Sequence, residues 1–102
     1  MRKVEQGDLL RVSGVSQLVM VVSNNFFCQS GKAIVCPIMN EAAEGPLHIR
    51  IQTEQINGYV LCEQVRYLDL SVRHFTKIGS AHYYDVMDIS DAVMGIFDYQ
   101  TV

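Results

Sequence analysis

Apolar residues along this chain come in short runs, separated by glycine-bearing polar breaks at intervals of roughly ten to twenty residues. That spacing predicts a small, mainly β domain. Residues 8–13 form the first run, and a tight turn centred on Gly14 follows. Residues 17–23 are apolar at consecutive positions, so they predict a central strand covered on both faces. A loop opening at Asn24 and Asn25 carries Phe26 and Phe27, which are expected to fold back as its anchor. Residues 32–40 predict a third strand. Pro37 has no N–H to give a ladder, so a bulge or an edge is expected there. Residues 47–53 alternate strictly, with Leu47, Ile49 and Ile51 inward and His48, Arg50 and Gln52 outward. Asn57-Gly58 predicts a turn, and residues 59–69 a further strand run.

The period then changes. Val86, Ile89, Val93, Ile96 and Phe97 lie at offsets 0, 3, 7, 10 and 11, one face of an α-helix. Ser80 is the expected N-cap, and Asp85 lies near the positive end of the helix dipole. Full burial of those five side chains would contribute roughly 8–15 kcal/mol as an upper bound, so the helix must dock on the sheet. Gly95 inside the helix costs about 1 kcal/mol unless another backbone packs against it.

At 102 residues the chain predicts a single domain over 1–102. A net charge of −3 and a pI near 5.4 argue against a general nucleic-acid coat protein, though a local basic groove remains open. Cys28, Cys36 and Cys62 are odd in number and lack Cys-x-x-Cys spacing. Buried free thiols are therefore expected, with no disulfide framework, no metal site and no cofactor. No leader-like segment or run of about 20 apolar residues is visible, which predicts a cytoplasmic protein with no membrane partner.

Three segments carry a resemblance. They are Gln6-Gly7-Asp8-Leu9-Leu10-Arg11-Val12, Val35-Cys36-Pro37-Ile38-Met39, and the run from Asn57 through Glu63-Gln64-Val65-Arg66 to Asp69. Arg73, Thr76, Lys77 and Gly79 continue the last in register. Together they resemble the MazF/PemK (Kid) growth-inhibitor toxins of toxin–antitoxin modules. The resemblance implies an SH3-like small barrel or strongly curved antiparallel sheet with one C-terminal helix, the MazF/PemK/CcdB type. It also implies a homodimer, an acidic antitoxin peptide as partner, and metal-independent endoribonuclease activity on single-stranded RNA.

The sequence departs from that family where the chemistry resides. Gln17 and Leu18 stand where the family carries Arg and Pro, in a shortened turn over residues 13–17, and Met39 replaces the family threonine. Leu61 and Glu63 stand where the Kid-like branch has Arg and Asp, so only the carboxylate persists. RNA cleavage needs a base for the 2′-hydroxyl proton and donors for the phosphorane charge. Gln17 has no positive charge, and Met39 can do neither job. Either the chemistry has moved or it has gone.

If it has moved, the catalytic candidates are Glu63, Arg66 and His74, and the RNA-binding candidates are Arg11, Gln17, Arg50, Gln64, Arg73 and Lys77. His48 shares an outward face with Arg50, and His82 reads as a packing or dimer-contact residue. A structural reading of the same residues pairs Arg66 with Asp69. The aromatics Phe26, Phe27, Tyr59, Tyr67, Tyr83 and Tyr84 either stack bases or fill core and interface. Two functions stand open: a toxin of endoribonuclease descent, or a non-enzymatic toxin-fold protein that binds a protein partner or peptide, as CcdB does. A basic groove of Arg11, Arg50, Arg66 and Arg73 would favour the first. A flat apolar patch around Met39 and Leu61 would favour the second.

Overall fold

The computed structural model describes residues 3–100. Its strands are β1 (Asp8–Val12), β2 (Leu18–Val21), β3 (Lys32–Met39), β4 (His48–Gln52), β5 (Asn57–Leu61), β6 (Arg66–Asp69) and β7 (Phe75–Ser80). The helices are α1 (Asn25–Cys28) and α2 (Tyr83–Ile96). All strand pairings are antiparallel, in the order β4-β5-β3-β2-β1-β7, with β6 on β3 beside β5. The path does not close into a barrel. It is a curled, SH3-like sheet with one C-terminal helix, and a register shift between Leu9 and Leu10 helps β1 to bend.

Strand alternation splits the apolar residues into two cores. Leu10, Val12, Val19, Val21, Val35 and Leu68 face one side, closed by Val4, Cys28 and Leu70 from the loops. Leu9, Met20, Cys36, Ile38, Ile51 and Val60 face the other, where Ile89 of α2 enters. The doubly apolar run of β2 is central, as its pattern predicts, and all three cysteines are buried and unpaired. Gly14 turns the chain at φ +84°, which costs glycine no Cβ clash.

Several expectations are sharpened or corrected. Pro37 makes no bulge, since its ladder with β2 keeps register, but β3 is unpaired there on its other side and so presents the local edge that a missing N–H requires. β6 pairs with residues 32–35 of β3 and β5 with residues 38–39, so the missing N–H falls in the gap between those ladders. Asn57-Gly58 is strand rather than turn, because Gly58 pairs with Ile51 and lies against β3, where a Cβ would meet the Met39 carbonyl oxygen at 2.7 Å. Residues 59–69 are not one strand: they break at 62–65, where the Gln64 N–H donates to the Leu61 carbonyl. The 24–31 loop holds α1, capped by Asn24 Oδ1 accepting from the Phe27 N–H at 2.9 Å. That helix turns Phe26 outward at 83% exposure, so it anchors nothing.

Ser80 ends β7, and His82 is the N-cap of α2 without a side-chain bond. Of the five helix-face residues only Ile89 is fully buried. Val86 and Val93 are half-buried, while Ile96 and Phe97 are exposed, so the docking energy lies well below its upper bound. Among the described residues, nothing comes within 4 Å of where a Gly95 Cβ would lie.

Candidate functional site

Strand register assembles the site. Leu18 pairs with Ile38, which puts Gln17 opposite Met39 one step further along. Met39 pairs with Tyr59, and Tyr59 with Arg50. Directly opposed residues share a sheet face. Gln17, Met39, Tyr59 and Arg50 therefore form one row across β2, β3, β5 and β4. Here Gln17 and Met39, two of the positions that depart from the family pattern and far apart in sequence, become neighbours.

The row borders a groove of about 780 Å³ that adds Asn40, Glu41, Gln55 and Asn57 to Gln17 and Met39. A second hollow of about 460 Å³ shares Asn40, Glu41 and Asn57 and reaches Arg50 and Tyr59. Arg50 is held in place, with Nε and Nη2 donating to Asn57 Oδ1 at 3.2 and 3.1 Å. The amides Gln17, Asn40, Gln55 and Asn57 each offer donors and an acceptor.

His48 lies two residues before Arg50 on the same face of β4. Its Nε2 meets Glu63 Oε2 at 3.0 Å, and its Nδ1 meets the Ala43 carbonyl oxygen. Both partners are acceptors, so the ring satisfies both only as imidazolium. The bond to Glu63, then that to Ala43, raises the His48 pKa above its usual value. The same bond holds the Glu63 carboxyl below its usual range. His48 thus ties the loop before β4 to the turn after β5 and has no lone pair to offer a substrate.

The other candidates are scattered. Arg11 alternates with Leu10 and Val12, so it points to the opposite face from Gln17. Arg73 donates from Nη1 to the Ser13 carbonyl at 3.0 Å, and with His74 it lines a separate cavity. Lys77 pairs at 3.0 Å with the buried Asp8. Gln64 is exposed on the turn beside Glu63, and Arg66 is exposed on β6.

Arg66 does not pair with Asp69. Asp69 lies 3.7 Å from Lys32 across β3 and accepts from Ser71 instead. A four-arginine groove does not form, since only Arg50 lies on the row. The apolar patch fails too, because Leu61 is buried while Met39 is exposed. Sequence reasoning left Tyr59 between base stacking and core or interface, read Asn57 as turn, and passed over Gln55, Asn40 and Glu41. The parity of His48 and Arg50 was the readable signal. Among the described residues no cluster of three or more His, Cys, Asp or Glu could hold a metal ion, and no helix is long and apolar enough to cross a membrane.

No curated protein matches the chain in sequence. Among solved structures, it is similar to a MazE–MazF complex from Deinococcus radiodurans, with a TM-score of 0.85 at 16% identity over 98% of this chain and 100% of that one. It is also similar to an endoribonuclease in complex with its cognate antitoxin from a mycobacterial species, with a TM-score of 0.80 at 14% identity over 95% and 99% of the two chains. At such identities the likeness shows the fold. The sequence profile of the PemK-like, MazF-like toxins of type II toxin–antitoxin systems matches residues 12–97. The chain belongs to that family of toxins.

Proposed function

We propose that this toxin acts by holding a peptide segment of a protein partner in the Gln17–Met39–Tyr59–Arg50 groove, and that it does not cut RNA there. One observation carries the reading: the row itself contains no base, and Glu41 is the one carboxylate that lines the groove. His48, the nearest imidazole on that face of β4, is committed at both nitrogens, and Arg50, the one cation of the row, gives two of its five N–H donors to Asn57. Losing a single preorganised donor costs a ribonuclease about 3–4 kcal/mol of transition-state stabilisation, and here both Arg and Thr positions are changed. Four amides beside an exposed Met39 and a half-buried Tyr59 suit a peptide, whose backbone alternates donors and acceptors.

An antitoxin peptide is the natural inhibitor of such a site, since the mycobacterial relative is found with its cognate antitoxin. Outward apolar residues on α2, among them Tyr83 and Met94, support a homodimer. A partner met inside the cell would place the protein in the cytoplasm.

The test is incubation of purified, antitoxin-free protein with long single-stranded RNA, without added metal, beside Glu63→Gln, Arg66→Ala and His74→Ala. The expected result is intact RNA from folded protein at micromolar concentration. Site-specific cuts would overturn the binding reading. One observation favours that second outcome: Glu63, His48 and Arg50 stand close by strand parity, a carboxylate, a proton donor and a cation. Cuts abolished by Glu63→Gln would place the migrated chemistry there.

A further inference from the structure

Beyond the groove the structure has a separate cavity of about 270 Å³ that shares no lining residue with it. Its floor is apolar: Val4, Cys28, Leu70 and Phe75. Its rim carries the cations Lys32 and Arg73 together with His74, and no carboxylate lines it. For a chain of net charge −3 that is a local reversal of sign. We infer that this cavity is a binding site for a small amphipathic carboxylate, its apolar body on the Val4–Leu70 floor and its carboxylate on Arg73.

The walls are built rather than incidental. Gly31, at φ +84°, accepts from the Leu70 N–H at 2.9 Å, and a Cβ on Gly31 would lie 3.4 Å from Ser71 Cβ. The α1–β3 and β6–β7 connections are therefore locked edge to edge. Arg73 is oriented by its bond to the Ser13 carbonyl and packs against Gly14, whose Cβ would meet Nη1 at 3.0 Å. That bond uses one of five guanidinium donors, and the remaining donors match a planar carboxylate bidentately. Lys32 is partly neutralised by Asp69 at 3.7 Å, which leaves Arg73 as the principal anchor and His74 as a second donor. The volume corresponds to about nine waters of liquid, room for an acid of roughly ten non-hydrogen atoms.

Such a carboxylate exists as a free small acid or as the C-terminal residue of a peptide. The experiment titrates the ¹⁵N-labelled full chain with phenylacetate, phenylacetamide, N-acetyl-Gly-Phe and its C-terminal amide, following amide shifts. Phenylacetate is expected to saturate at millimolar concentration, with shifts confined to residues 28–32 and 70–75. Phenylacetamide should bind about tenfold more weakly, as should phenylacetate to Arg73→Gln, because each removes the charge-assisted pair. Tighter binding of the peptide acid than of phenylacetate identifies a chain terminus as the source, and no competition by the peptide identifies a free acid. Equal binding of acid and amide, an unchanged affinity in folded Arg73→Gln, shifts centred on the groove, or no saturation by about 10 mM would each overturn the proposal. The RNA assay above does not bear on it.

Discussion

The two faces of the sheet are built from the same alternating strands, yet they end up with different work. Under α2 the apolar positions run on without interruption, from Leu9 and Met20 through Cys36 and Ile38 to Val60 and Ile51. On the other face the apolar series covers only part of each strand. Val19 and Val21 give way to Gln17, and Val35 gives way, past Pro37, to Met39. Loops carrying Val4, Cys28 and Leu70 cover the apolar part, while Gln17 and Met39 lie beyond that cluster and line the groove. Polar and half-polar residues at inward parity therefore mark where the cover stops, and the candidate groove runs from there over the sheet edge to Leu18, Ile38 and Ile56 of the α2 side.

The largest effect that could break this comparison comes from the covering helix. Ile89 is its one fully buried residue, so Ile89→Ala should cost about 2–5 kcal/mol in urea denaturation and release α2. Leu68→Ala, on the other face, should cost a similar amount while leaving the helical circular dichroism intact. A loss under about 1 kcal/mol for Ile89→Ala would mean that α2 does not hold its face shut. Gly58→Ala comes next. Its Cβ would meet backbone at 2.7 Å and Ile38 Cγ2 at 3.1 Å, and β3 and β5 must part to admit it. Overpacking of this kind costs about 1–3 kcal/mol, read as a lower denaturation midpoint, and a neutral result would refute the β3–β5 register that builds the groove.

That glycine also explains where sequence reading stopped. The strands over residues 8–13, 17–23, 32–40 and 47–53 were legible because alternation is local, and the helix because its period is. Asn57-Gly58 has the composition of a turn. Its glycine serves instead to let β5 approach β3, a requirement set by a strand far away in sequence. Residues 62–65 contain no Gly or Pro, so nothing local announces the break that lets β3 pair with both β5 and β6. The site suffered in the same way. Gln17, Met39, Arg50, Glu63 and His48 were each visible, but the row that joins three of them depends on strand order. Arg11, Arg73 and Lys77 read as one basic set, although their parity and loop positions send them to different surfaces.

Thiol chemistry distinguishes the faces more gently. Cys36 and Cys62, under α2, are fully buried, and desolvation pushes them up to about 12 and about 11, with Cys36 raised further by Cys62 and then Glu63, and Cys62 by Glu63. Cys28 lies at the floor of the open-face cavity with slight exposure. A thiol reagent at pH 8 should label Cys28 about tenfold or more ahead of the other two in folded protein, because reaction needs thiolate and access. Equal rates, resolved by mass spectrometry of peptides, would mean that the helix-covered face opens as readily as the other.

The smallest effect concerns the tie beside the groove. The folded-state pKa of His48 is raised, so its contribution is full below the usual 6.5 and is lost as pH rises through the raised value. The folded-state pKa of Glu63 is lowered, so its contribution is full above the usual 4.5 and is lost as pH falls through the lowered value. Between those limits the imidazolium joins Glu63 to the Ala43 carbonyl, and the loop that supplies Asn40 and Glu41 is fastened to the β5–β6 turn. Both groups are solvent-exposed, so global stability should scarcely register the titration. The imidazole resonances of His48 will report it, and the amides of residues 41–43 should move with the same midpoint. Glu63→Gln keeps an acceptor but removes the charge, so that midpoint should fall toward the usual value. An unmoved midpoint would mean that the tie does not form in solution, and that the open face has a free imidazole beside Arg50 after all.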